Sequence, residues 1–118
     1  MIKTTKADFE FFKSECRRFH KQWGVTCWEI LFSWKKIPGR LAEVNMVYES
    51  GIAAIDFTTE WENSKINREC ITRVAKEEIL HILMGRFSCL ASSRHVREEE
   101  LEAAEHEAIR MLEKIIPD

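Results

Sequence analysis

The spacing of hydrophobic positions changes period twice along the chain. Residues 5–22 carry apolar side chains at steps of three and four, which is typical of an amphipathic helix, and Gly24 follows as a C-terminal stop. Apolar and polar residues then alternate in three segments, each of which we predict to be a strand. These segments are 26–34, 41–49 and 52–58. Turn residues at 37–40 and 50–51 separate them, so we predict a three-stranded antiparallel meander.

A helical period returns after a polar, loop-like segment at residues 60–67 and continues from 67 to 87. A break follows at residues 88–94, and a last helix is predicted over residues 97–116, with three glutamates in its first turn. This order predicts an α+β fold with an N-terminal helix, the meander and two C-terminal helices. We expect one domain over residues 1–118.

Composition and charge narrow the class of protein. Apolar residues make up 45% of the 118 residues and charged residues 32%, as in ordinary soluble domains. With 18 basic and 20 acidic side chains the net charge is −2, which argues against broad nucleic-acid binding. No segment approaches the roughly 18 apolar residues of a membrane span, and no signal peptide precedes the first helix. We therefore expect a cytoplasmic protein with no membrane partner.

One acidic residue of the second predicted helix lies on its apolar face. Placed at 100° per residue, Glu78 falls inside the arc of apolar side chains, and Glu77 and His81 follow at one edge of this arc, one turn apart. A carboxylate that faces a core is costly unless it is paired, protonated or bound to a metal. The alternative is an edge residue whose carboxylate reaches solvent.

The last helix shows a similar exception. Glu105 falls within its predicted buried stripe, and His106 lies on the flank. If the two C-terminal helices pack side by side, their inward acids and the neighbouring histidine converge, and carboxylates with imidazole are suitable ligands for zinc or another divalent metal. The predicted metal ligands are Glu77, His81 and, from the last helix, Glu105 or His106.

The spacing matches a hydrolytic zinc site. In such sites two ligands at i and i+4 share a helix face, and a third ligand comes from another element. A water molecule occupies the fourth coordination position of the metal. The residue after the first ligand is the general base, here Glu78. A glutamate at the first ligand position makes zinc less electrophilic and favours harder cations, or leaves the site inactive and without metal. The pair Glu78-x-x-His81 also occurs in di-iron bundles, but these need four helices and a second such pair.

Three segments resemble a known family. Residues 55–61 read Ile-Asp-Phe-Thr-Thr-Glu-Trp, residues 75–83 read Ala-Lys-Glu-Glu-Ile-Leu-His-Ile-Leu, and residues 102–113 read Glu-Ala-Ala-Glu-His-Glu-Ala-Ile-Arg-Met-Leu-Glu. They resemble the small zincin-like metallopeptidases of phages and prophages, whose motif helix reads Ala-x-His-Glu-x-x-His-Leu-Leu. The resemblance implies a zincin-like fold, a metal at Glu77 and His81, a base at Glu78 and a third ligand from the last helix.

Two functions remain open at this point. The first is a metal-dependent, metallopeptidase-like hydrolase with a degenerate zinc site, in which the strand edge nearest the motif helix binds an extended peptide. The second is a non-catalytic phage-type protein on the same scaffold that binds or inhibits a host macromolecule. In both cases the expected partner is a peptide or protein.

Overall fold

The computed structural model describes residues 2–25, 28–61, 66–92 and 95–116. Its elements, in chain order, are β1 (Ile2–Lys3), α1 (Lys6–Trp23), β2 (Glu29–Trp34), β3 (Ala42–Val47), β4 (Ile52–Phe57), β5 (Glu60–Trp61), α2 (Arg68–Leu83), α3 (Gly85–Ala91) and α4 (Glu98–Ile115). The predicted α+β class, with a helix before the strands and further helices after them, is confirmed. Thr26 and Cys27, the first residues of the first predicted strand, lie outside the described residues.

The bounds of α1 follow from local sequence. Thr5 accepts a hydrogen bond from the amide of Asp8 at 3.1 Å, and the Asp8 carboxylate accepts one from the amide of Thr5 at 2.9 Å. This capping box satisfies two backbone donors that a helix start leaves free. Gly24 ends the helix at φ 65°, a left-handed conformation that favours glycine. The buried face of α1 is formed by Phe12, Cys16, Phe19 and Trp23.

The main sheet is mixed, so the predicted antiparallel meander is wrong. Its order is β2-β4-β3, with β4 parallel to β2 and antiparallel to β3. The physical reason is the segment 35–41, which is long enough to carry the chain across the end of β4. The amide of Lys35 donates to Phe57 at 3.0 Å, and the amide of Thr58 donates to Leu41 at 2.9 Å. The most continuously buried strand, β4, therefore takes the centre of the sheet.

Aromatic rings join α1 to the sheet. Phe12 is fully buried, stacks on Phe57 with ring centroids 4.7 Å apart and meets Phe32 edge to face at 6.4 Å. Helix α2 packs against both α1 and β3, which places it beside one edge of the sheet. The hydrophobic core thus lies between the sheet and these two helices.

The structure divides the second predicted helix into two. A single helix was predicted up to residue 87, but α2 ends at Leu83 and α3 begins at Gly85. A Cβ atom on Gly85 would lie 2.7 Å from the sulfur of Met46 and 2.9 Å from Cζ2 of Trp28. The chain therefore approaches the sheet at Gly85 more closely than a side chain allows. Hydrophobic spacing carries no information about such a contact, because it arises between distant segments.

The two longest helices, α1 and α4, each have 18 residues. Length alone brings them near the minimum for a membrane span. Across the described ranges, however, no helix combines that length with the apolar character that a span requires.

Candidate functional site: the groove between α2 and β3

The groove that the structure forms beside the motif helix has a volume of about 660 Å³. One wall is a stripe of α2, and the other is β3 with the residues just before it. The helix contributes Cys70, Arg73, Val74, Glu77, Glu78 and His81. These positions are spaced by three or four residues and so lie on one helical face. Trp61 of β5 and Ser88 of α3 also line the groove.

Glu78 is a buried acid that has no partner in the described part of the chain. Only 7% of its surface is exposed, which confirms the prediction that it faces inward. Among the described residues, its carboxyl group receives no hydrogen bond and forms no ion pair. Glu78 lines the groove, and its carboxyl oxygens are not among the fully buried side-chain atoms that lack a hydrogen bond. The carboxyl group is therefore not enclosed within the core. The side chain therefore presents an unpaired carboxyl to the groove from a largely dry position.

Electrostatics around Glu78 favour its protonated form. Burial, followed by repulsion from Glu77, raises the pKa of Glu78 to about 7, while Arg40 lowers it and Glu43 raises it. A carboxyl group with such a pKa exchanges protons near neutral pH, as a general base does. The geometry is thus compatible with the base role predicted for Glu78, and that role stays a prediction.

Glu77 and His81 both line the groove and are both exposed. They belong to the same helix at i and i+4, so they share the face that Glu78 adjoins. Three residues of the predicted site are therefore together in one groove.

The last helix does not contribute as predicted. Glu105 and His106 are exposed on α4, which packs mainly against α3 and α1, and neither lines the groove. The expectation that Glu105 faces the interior is wrong because half-buried Met111 moves the centre of the buried arc away from it. Glu107 of the same helix is half-buried where Glu105 is exposed, and its carboxylate accepts a hydrogen bond from Arg86 at 3.3 Å.

The metal ligands predicted from the sequence do not all lie in the groove. Over the described ranges, no three side chains of His, Cys, Asp or Glu form a group suited to hold a metal ion. Glu77 and His81 are exposed side chains with no third donor assigned by the fold, since the last helix presents Glu105 and His106 elsewhere. A metal at Glu77 and His81 stays a prediction, and we derive no chemical step from it.

The backbone of β3 supplies a feature that side-chain patterns did not predict. The amide of Thr58 donates to the carbonyl of Leu41, and hydrogen-bonded pairs alternate in an antiparallel ladder. The amides and carbonyls of alternate β3 residues therefore point away from β4. These residues are Ala42, Val44 and Met46, and all three line the groove. In the predicted meander β3 would have been the central strand, so only the observed order opens this edge.

Comparison of the chain with profiles of known protein families, with curated proteins and with solved structures found no match.

Proposed function

We propose that this chain is a protein-binding module whose groove accepts an extended segment of a partner protein as an additional strand beside β3. The observation that carries the proposal is the coincidence of an open strand edge with a groove. Ala42, Val44 and Met46, whose backbone groups point away from β4, line the same cleft as Glu78, whose carboxyl has no partner among the described residues. Strand addition gives affinity through main-chain hydrogen bonds and specificity through alternate side chains.

The dimensions of the edge set the size of the bound segment. β3 has six residues, so at about 3.3 Å per residue its open edge is about 20 Å long. A segment of about six residues in extended conformation fills this edge, and every second side chain points toward α2. The hydrolase hypothesis from the sequence also expects an extended peptide on the strand edge nearest the motif helix.

The edge of β2, on the opposite side of the sheet, is the alternative surface for strand addition. Among the described residues β2 pairs only with β4, so it also has an unpaired edge. Helix α2 packs against β3, however, and only that edge adjoins the groove with Glu78. We therefore assign the binding surface to β3.

A proline substitution tests the assignment. Val44→Pro removes one outward amide without breaking a bond to β4, and Val44→Thr keeps the amide as a matched control. Binders selected from a library of random decapeptides on the unsubstituted protein should bind Val44→Pro at least about tenfold more weakly, because a main-chain hydrogen bond and close approach are lost. Val44→Thr should keep the affinity, and thermal unfolding should show both variants folded.

Amide hydrogen exchange gives an independent readout. The amides of Ala42, Val44 and Met46 should exchange quickly in the free protein and slow on peptide binding, whereas the alternate amides of Glu43, Asn45 and Val47 should be protected throughout. Peptide binding that leaves the first three amides unprotected and ignores Val44→Pro would refute strand addition at β3. The same conclusion would follow if the selection yielded no binder.

A metal-dependent hydrolase is the second candidate. The observation in its favour is that Glu78, with its pKa raised to about 7, shares one groove with Glu77 and His81. Glu77→His restores the usual zinc motif, so equilibrium dialysis with zinc should show a gain of about one tight equivalent if a third ligand is available. Hydrolysis of unfolded casein that depends on metal and is abolished by Glu78→Gln would establish this function, and its absence in both the original protein and Glu77→His would exclude it.

A further inference from the structure

We propose that the segment bound beside β3 carries an arginine or lysine side chain that pairs with the carboxyl group of Glu78. This inference rests on the proposed binding function and names the chemistry that the groove selects. Three observations carry it: the burial of Glu78, its lack of a partner, and the charges that surround it.

Glu78 is buried, and its carboxyl group has no partner among the described residues. Glu78 is 93% removed from solvent, as its 7% exposure shows, yet no described residue gives it a hydrogen bond or an ion pair. Buried carboxyl groups are normally paired, because an unpaired buried charge is costly. Glu78 lines the groove, so a ligand bound there can complete the pairing.

Neighbouring charges favour a cation over a neutral donor. Glu77 and Glu43 line the same groove and act on Glu78 as like charges. Arg40 and Arg73 are the opposing charges in the lining; the Arg40 guanidinium is 3.9 Å from the Glu43 carboxylate, and neither arginine makes a bond to Glu78. The described lining of the groove therefore has three carboxyl groups, those of Glu43, Glu77 and Glu78, against two guanidinium groups. A cation from a ligand gains charge-assisted hydrogen bonds there, shielded from bulk water.

The geometry of an added strand places such a cation near Glu78. Side chains of an added strand alternate between the two faces, so one residue in two points toward α2. The stems of arginine and lysine are long and apolar, and they pack well along a groove whose walls include Val44, Met46 and Val74. A basic side chain on the α2 side of the segment thus reaches the carboxyl while its stem covers apolar surface.

The test compares selections on three proteins. A random decapeptide library is selected on the unsubstituted protein, on Glu78→Gln, and on Glu105→Gln, which removes one exposed charge outside the groove. We expect arginine or lysine at one fixed position in binders of the unsubstituted protein and of Glu105→Gln, and loss of that preference with Glu78→Gln. Replacing the selected basic residue by norleucine should weaken binding at least about tenfold to the unsubstituted protein, and less than about twofold to Glu78→Gln.

The outcomes separate this inference from the function on which it rests. Binders that are sensitive to Val44→Pro but show no basic preference overturn the pairing with Glu78 and keep strand addition. A basic preference that persists in Glu78→Gln also overturns it, since another acid of the groove is then responsible. A selection without binders overturns both proposals.

Discussion

Among single residues, Glu78 has the environment least expected from its chemistry. It occupies the buried face of α2 together with Ile71, Ala75, Ile79 and Ile82, where an apolar side chain would be the ordinary choice. The position of Glu78 on the helical wheel was enough to predict that its side chain faces the core, because side chains repeat around an α-helix with one fixed period. Glu105 was placed inward by the same reasoning and is exposed. The difference is that α2 is held between α1 and β3, whereas α4 buries a narrower stripe centred on Ala104 and Ala108.

The raised pKa of Glu78 predicts that stability falls as pH rises. Its folded value of about 7 exceeds the ordinary 4.5, so the folded state binds the proton more tightly than the unfolded chain does. The folded state is therefore free of this penalty below pH 4.5, loses stability between 4.5 and 7, and carries the full penalty above 7. Burial and Glu77 cause the shift, with Glu43 adding to it and Arg40 opposing it.

Urea unfolding at pH 5 and pH 8 measures this effect. Glu78→Gln removes the titrating group, so the unsubstituted protein should lose about 1–3 kcal/mol more than the variant between the two pH values. Glu105→Gln is the control and should follow the unsubstituted protein. An unchanged pH dependence in Glu78→Gln would mean that Glu78 titrates normally in the folded state.

At the level of the elements, the break between α2 and α3 shows how packing overrides a continuous pattern. The helical spacing of apolar residues runs to residue 87, but Gly85 must approach the sheet where Trp28 and Met46 lie. The end of α2 and the start of α3 are therefore set by a contact with residues about 40 and 60 positions earlier in the chain. The local spacing of apolar residues gives no information about such a contact.

Gly85→Ala tests this contact. The added methyl group would lie 2.7 Å from the Met46 sulfur and 2.9 Å from the Trp28 ring, so one of them must move. We expect the free energy of unfolding to fall by about 1–3 kcal/mol, as overpacking does, although alanine is the better helix former. Ser88→Ala, at an exposed site of the same helix, should change it by less than about 0.5 kcal/mol. Equal effects of the two substitutions in chemical denaturation would show that Gly85 is not tightly packed.

For the molecule as a whole, one aromatic cluster connects α1 to the sheet. Phe12 contacts Phe57 of the central strand and Phe32 of β2, and all three belong to or pack against the same core. Elements from both ends of the described chain share this core, since Ala108 of α4 belongs to it as well. The sequence predicted a single domain, and this shared core is the reason to expect it to unfold as one unit.

Phe12→Ala tests the role of the core. Truncation of this fully buried ring should lower the free energy of unfolding by about 3–5 kcal/mol. Phe87→Ala, at a half-buried ring outside the core cluster, should cost clearly less. Thermal unfolding of the unsubstituted protein, followed by far-ultraviolet circular dichroism and by tryptophan fluorescence, should give coincident transitions. Separate transitions would show that the helices and the sheet unfold independently.

The sequence by itself determined the type and approximate bounds of α1, α4 and the three main strands, because periods of 3.6 and 2 and local caps are written in neighbouring residues. It also placed Glu78 on a buried face and grouped it with Glu77 and His81, because these residues share one helix. The short pair of β1 and β5 was not predicted, since two-residue strands carry no measurable alternation.

Only the tertiary structure decided the order of the strands, the break at Gly85 and the burial of Glu107 in place of Glu105 on α4. Each depends on contacts between segments far apart in the chain, where period and propensity give no information. The strand order has the largest consequence. It moves β3 from the predicted centre of the sheet to its edge, and so brings unpaired backbone groups and the carboxyl of Glu78 into one groove.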